Sequence, residues 1–570
     1  MSARHRGPIV VGVVVAALFV GPAWAGHGAG SSQDAVSAGW VGSSLVASKK
    51  KPSRGTLAIK VSGSGSYTVT GKGFRKTSTA SKSFKVKPGA YTIKAPTGLV
   101  KPGKAKVRKG RTTKVNVTFA PRSVPAPATT PPATPAPNPT VPQAPPPVPS
   151  PPPVSVGATR IVSTDEVGNE GNGASYGHSW SPDGTKVAFV SYGTNLVGAD
   201  TNGAGDVFVK TLATGAVQRI STDASGDQAN GTYMGSWDPV WSPDGLQIAF
   251  RSEASNLTPG DTNNIDDLFV KTLSTGAIQR ISTDASGAQA NGSSGDPQWS
   301  PDGSRIAFYS YATNLVVADT NGISDVFVKT LSTGAIQRVS TDASGAQANG
   351  DLYGYWGSGS ARWSPDGSRI AFLSSSDSLV SGDTNKSYDV FVKTLSTGAI
   401  QRVSTDTSGA QAVGGSGSPT WSPDGTKIAF TSDSSNLVAG DTNGLSDAFV
   451  KTLDTGAIQR ISTDSSDAQA DGPSETPTWS PDGSRIALVS EATNLVANDS
   501  NQVSDIFVKT LSTGLVQRMS TDSNGLQATG DSYSVDWSPD GTSIAFASSA
   551  SNLVPSDLNG VQDVFVKAMR

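Results

Sequence analysis

Trp-Ser-Pro-Asp-Gly begins at Trp180, Trp241, Trp299, Trp363, Trp421, Trp479 and Trp537, at intervals of 61, 58, 64, 58, 58 and 58 residues. A unit repeated at this spacing cannot bury its apolar face alone, so it must stack on its own copies, as in a propeller or solenoid. Each unit reads as four short strands. In the third, 296–299 leads into the Ser-Pro-Asp-Gly turn, and 305–310, 325–331 and 335–340 follow, separated by Gly, Asp, Asn and Pro. No helical period occurs, and four strands per unit is the make-up of a propeller blade.

The two ends of the repeat predict closure. The chain stops at Asp563-Val-Phe-Val-Lys-Ala-Met-Arg570, a third strand with no fourth behind it. The missing strand stands at the other end, where Thr159-Arg-Ile-Val-Ser-Thr-Asp165 matches Val217-Gln-Arg-Ile-Ser-Thr-Asp223. Pairing these ends removes two free sheet edges. The expected fold is an all-β, seven-bladed β-propeller over 157–570, with the N-terminal strand completing the last blade.

Four segments precede the ring. Arg4 and Arg6, the apolar stretch 9–20 and Ala23-Trp24-Ala25 read as a secretory signal peptide, residues 1–25. The stretch is short for a membrane span. Residues 26–48 are small and polar and are expected to be disordered. Residues 49–120 hold five alternating segments, which predict a small basic β-sandwich module. Residues 121–156, rich in Pro, Ala and Thr, predict an extended spacer. The chain has no cysteine, so disulfides, thiol chemistry and a lipidated cysteine anchor are excluded. The expected location is extracellular or at the cell envelope, and the expected state is monomeric.

Charge is strongly segregated. Residues 49–114 carry 19 Lys or Arg and no acidic residue, whereas 157–570 carry 23 basic against 45 acidic residues. A module near +19 beside a propeller near −22 predicts electrostatic attachment to an anionic cell-wall polymer or other anionic surface. A soluble lysine-rich surface is the plainer alternative. The module's aromatics, Tyr67, Phe74, Phe84, Tyr91 and Phe119, sit mostly at predicted core positions, so specific nucleic-acid recognition is not expected.

The Ser-Pro-Asp-Gly turn followed by Lys/Arg-Ile-Ala-Phe resembles the WD40-like (PD40) repeat of the TolB family. The resemblance spans all seven blades and implies a propeller that binds other proteins or covers an enzyme. The chain departs from that family in having neither an α/β N-terminal domain nor an α/β-hydrolase domain. The module at 55–119 resembles PEGA or carboxypeptidase-regulatory-like β modules in its strand pattern.

Every blade also contains Asp-x-Asn-x-x-x-Asp: Asp200/Asn202/Asp206, Asp261/Asn263/Asp267, Asp319/Asn321/Asp325, Asp383/Asn385/Asp389, Asp441/Asn443/Asp447, Asp499/Asn501/Asp505 and Asp557/Asn559/Asp563. Oxygen side chains at alternating loop positions suit calcium, and the spacing resembles the calcium loops of integrin-type propellers. It lacks the Gly and Glu of an EF-hand and is one carboxylate short. The competing reading is a plain Asx turn in which Asp and Asn bond their own backbone.

Two longer intervals mark insertions that carry Tyr233 and Trp237, and Tyr353, Tyr355 and Trp356. Exposed loop aromatics are candidate anchors for a protein or glycan ligand. In a four-stranded blade these loops and the Asp-x-Asn loops emerge on one face, which predicts a single loop-rich recognition face. Catalysis is the less expected reading. His27 and His178 are the only histidines after residue 25, and glutamates are sparse, so no catalytic residues are assigned. The expected function is therefore a secreted, non-catalytic binding protein. The alternative is a glycan-active hydrolase or lyase, which requires an isolated carboxylate breaking the repeat in the central channel.

Overall fold

The computed structural model describes strand segments between residues 55 and 119, and residues 157–569 apart from 199, 232–234 and 351–356. The expected signal peptide, the 26–48 segment and the Pro-rich spacer lie outside the described residues. The chain divides into two compact units, 1–143 and 144–570.

The N-terminal unit contains eight strands in two four-stranded sheets. In the first sheet, Gly55–Ser62 pairs parallel with Thr112–Phe119 and antiparallel with Lys82–Val86, and Gly98–Lys101 joins the far edge. In the second, Tyr67–Gly71 pairs with Phe74–Ser78 and Gly89–Lys94, and Lys104–Val107 extends it. Leu57 from one sheet and Val69 and Ile93 from the other are buried.

The second unit is the seven-bladed propeller, seven four-stranded antiparallel sheets. Blade two shows the pattern: Ser236–Trp241, Gln247–Ser252, Asp267–Thr272 and Ile278–Arg280 pair in sequence order. The first strands of neighbouring blades touch all the way round, so they form the inner wall. In the last blade Thr159–Ile161 takes the outer place: Ile161, Arg160 and Thr159 pair antiparallel with Phe565, Val566 and Lys567.

The core lies between blades. Ala249, Leu268 and Val270 of blade two pack against Trp299, Ile306, Phe308 and Phe327 of blade three, and the other junctions repeat this. Strands buried on both faces explain the continuous Ile-Ala-Phe and Val-Phe-Val runs. The Ser-Pro-Asp-Gly turn is held locally: Ser300 Oγ donates to Asp302 at 2.7 Å, and the Ser304 amide donates to the same carboxylate at 3.1 Å. The Arg305 guanidinium, 4.4 Å from the Trp363 ring centre, links that turn to the next blade.

A second tie runs between blades. Lys329 Nζ donates to Thr283 O, Thr283 Oγ1 and Asp284 O at 2.6, 2.7 and 2.8 Å. All seven third-strand lysines do the same toward the preceding blade, including Lys567 onto Thr521 and Asp522. These are nearly buried cations whose charge is met by carbonyl dipoles rather than by a carboxylate.

Candidate functional site

The Asp-x-Asn loops resolve differently from the calcium reading. Asn321 Oδ1 accepts from the Ile323 amide at 3.2 Å, and its Nδ2 donates to Asp325 at 3.1 Å and to Ala348 O at 3.1 Å. The carbonyl oxygen of Asn202, Asn263, Asn321, Asn385, Asn443, Asn501 and Asn559 thus caps the backbone two residues on and is turned away from the carboxylates.

The two Asp carboxylates do converge, but in six blades they converge on protein donors. In blade three Arg338 Nη1 stands 3.3 Å from Asp319 and 3.1 Å from Asp325, while Gln347 Nε2 donates to both at 2.8 and 3.0 Å. Arg219, Arg280, Arg402, Arg460 and Arg518 hold the same place over Asp200/Asp206, Asp261/Asp267, Asp383/Asp389, Asp441/Asp447 and Asp499/Asp505. A calcium ion in these six loops is therefore corrected to a guanidinium. Cation and amide donors fill the space between the carboxylates, and a second positive charge there is repelled.

The inner wall is where the blades stop resembling one another. Each inner strand carries a β-bulge whose residue has positive φ: Gly177, Asp238, Asp296, Ser360, Ser418, Thr476 and Ser534, between 48° and 56°. The side chains at and beside this bulge differ around the ring. Blades two to four place Asp238, Arg251, Asp266, Asp296, Tyr309 and Arg362 there, whereas the matching positions elsewhere are mostly small or apolar.

These groups form two neighbouring sets that influence one another through charge. Arg251 Nη1 donates to Tyr309 Oη at 3.1 Å, and Arg251 Nε lies 3.7 Å from Asp238 and 4.0 Å from Asp266. Arg362 Nη1 pairs with Asp296 at 2.8 Å. Burial pushes the Asp238 and Asp266 carboxyls up, opposed by the Arg251 charge. Gly295 makes room for Tyr309, because a Cβ there would stand 2.6 Å from the phenol oxygen.

Beside the cluster opens a cleft of about 450 Å³, lined by Tyr309, Tyr311, Tyr388, Leu373, Ser324 and residues 357–360. Tyr309 and Tyr311 meet edge to face at 6.1 Å. The cleft lies at the end of the blades where the Asp-x-Asn loops and the insertions emerge. Its size suits a small ligand or a short stretch of polymer.

Of the aromatics singled out in the sequence, Tyr233, Tyr353, Tyr355 and Trp356 lie outside the described residues. Trp237 is corrected. It sits in the inner strand Ser236–Trp241 rather than in the insertion, half-buried, with the Arg251 guanidinium 4.7 Å from its ring centre. Ser236 aligns with the first strand residue of every other blade, so the insertion ends before it. Two further groups on the inner wall were not singled out as site residues. Burial pushes His178 down to about 4 and Asp536 up to about 6.

No family model matches the chain, and no curated protein matches it. Solved structures do. An oligogalacturonate lyase in complex with manganese is 13% identical, with 73% of this chain and 98% of that chain covered and a TM-score of 0.44. The β-propeller domain of the Trilobed protease from Pyrococcus furiosus is 11% identical (69% and 95% covered, TM-score 0.41). TolB from Acinetobacter baumannii is 16% identical (64% and 76% covered, TM-score 0.33). These neighbours are β-propellers, TolB-type propellers included, and the likeness extends no further than the fold. Among the described residues no helix is long and apolar enough to cross a membrane.

Proposed function

We propose that this chain is a non-catalytic recognition protein of the cell exterior or envelope that takes a glycan segment in the cleft of blades three and four. One observation carries the reading: in a ring of near-identical blades, blades two to four set Arg251, Tyr309, Asp238 and Asp296 beside a cleft lined by tyrosines. Tyr309, Tyr311 and Tyr388 offer flat apolar surface, and Arg251, Asp238, Asp296 and Arg362 offer oriented polar groups beside it. That combination suits sugar rings, which present an apolar face and a hydroxyl edge. The 49–120 module, with its 19 basic residues, holds an anionic surface by charge.

The test is a binding screen of the full chain against solubilised cell-wall glycans, with Tyr311→Ala as the comparison. The substitution should weaken cleft binding at least tenfold. Unchanged binding removes the cleft from the account, and binding of polypeptides alone replaces the glycan by a protein partner. Retention on heparin should fall steeply with salt, because each displaced counterion adds to the slope.

Asp238 and Asp296 favour a second reading, glycan hydrolysis or elimination, because they are carboxylates that break the repeat on the inner wall. Their pairing with Arg251 and Arg362 supports binding over proton transfer. Release of reducing ends or unsaturated products from the bound glycan, lost in Asp296→Asn, would decide for the enzyme.

A further inference from the structure

The last blade breaks the rule followed by the other six. The residue matching Arg219, Arg280, Arg338, Arg402, Arg460 and Arg518 is Ile161, and the residue matching Gln228, Gln289 and Gln347 is Glu170. The guanidinium is gone, and the amide donor has become a third carboxylate. Glu170, Asp557 and Asp563 bring carboxylate oxygens within 4.8 Å of one another.

Asp563 is fully buried and accepts from Ser163 Oγ at 2.5 Å and from Asn559 Nδ2 at 2.8 Å. Glu170 accepts from the Leu558 amide at 3.0 Å. Asp557 is only 4% exposed, and its carboxylate meets no N–H or hydroxyl donor; its polar neighbour is the Glu170 carboxyl, a like charge. An orphaned carboxylate so deeply placed is costly unless a cation completes it.

Charge gives the valence. In each of the other blades two Asp and one Arg leave a net −1. Here two Asp and one Glu leave −3, and a divalent ion restores −1. Three carboxylates with no nitrogen or sulfur ligand select a hard cation, and a partly open, irregular set of oxygens completed by water suits Ca²⁺.

We infer that Glu170, Asp557 and Asp563 bind one divalent cation, Ca²⁺, which replaces the missing arginine and fastens the closing strand of the ring. Glu170 follows the N-terminal strand, whereas Asp557 and Asp563 flank the last loop, so the ion joins Glu170 to positions 387 and 393 residues further along the chain. Six junctions are continuous in sequence. The seventh is held by the three-residue strand Thr159–Ile161 and the contacts around it, and this is where a metal clip adds most.

The experiment titrates Ca²⁺ alone into the metal-stripped full chain by calorimetry and follows amide exchange of residues 159–163. One strong site per chain is expected, together with slower exchange of the closing strand. Ca²⁺ at one hundred times its Kd should suppress ring opening about a hundredfold. In the double variant Ile161→Arg/Glu170→Gln, which installs the arrangement of the other six blades, the strong site should vanish while the closing strand stays protected without metal. Asp557→Asn should lose the site as well. Absence of a strong site in the wild-type chain, a count of six or seven equal sites, or a strong site that survives in the double variant would overturn the assignment.

Discussion

Replacing Arg338 by Met removes one guanidinium and leaves its alkyl stem. Asp319 and Asp325 beneath it have side chains 3% and 0% exposed, and Arg338 itself is 11% exposed. Breaking one partner out of a buried pair costs about 3–5 kcal/mol, because the remaining charge stays buried. Asp325 keeps donors from Ser340, Asn321 and Gln347, and Asp319 keeps Gln347, so the lower end applies: about 3 kcal/mol, or more than a hundredfold in the folding equilibrium. The triple variant Asp319→Asn/Asp325→Asn/Arg338→Met carries no orphaned charge and should recover to within about 1 kcal/mol of the parent. Guanidinium chloride unfolding, with the slope checked for constancy, reads both. A single variant within about 1 kcal/mol of the parent refutes the reasoning, as does a triple variant no more stable than the single.

Three further outcomes follow from the same geometry. Lys329→Met strips three hydrogen bonds from the strand end of the preceding blade and should cost about 2 kcal/mol, with faster amide exchange at Thr283 and Asp284 than at blades farther round. Asp536 keeps its proton up to about pH 6 in the folded chain, against the usual 3.8, so its contribution is present below pH 4 and is lost as pH rises to 6. Asp536→Asn should therefore match the parent at pH 4 and exceed it by about 2 kcal/mol at pH 7.5, whereas a difference independent of pH contradicts the assignment. His178, pushed down to about 4, works in the opposite sense, so His178→Gln should be relatively more stable than the parent at pH 4.5 than at pH 7.5.

The ring was legible because its signals are local and repeated. The Ser-Pro-Asp-Gly turn, the apolar strand behind it and the orphan strand at 159–161 each state their role within a few residues, and the structure places them accordingly. The Asp-x-Asn loops misled because their partners are remote: Arg338 lies 13 residues beyond Asp325 and Gln347 lies 22 beyond it, both in segments that read as an outer strand and a loop. Spacing alone showed two converging acids and hid the base between them. One signal was available. Aligning 159–170 with the other outer strands shows Arg replaced by Ile161 and Gln replaced by Glu170 in the same blade, two changes that make sense only together. The cleft was hidden for a different reason. Arg251, Tyr309 and Leu373 occupy one equivalent position in the second strands of blades two, three and four, directly after the buried Ile-Ala-Phe run, where the sequence reads as a continuation of the core.

On the proposed function, the repeat is a scaffold and recognition sits where the repeat is broken. Hydrogen–deuterium exchange of the full chain, with and without a solubilised cell-wall glycan fraction, tests this most directly. Protection is expected in peptides spanning 309–311, 357–360 and 388, with little change at the matching positions of blades five to seven. Protection spread evenly over all seven blades, or confined to the Ser-Pro-Asp-Gly turns on the opposite face, would contradict it.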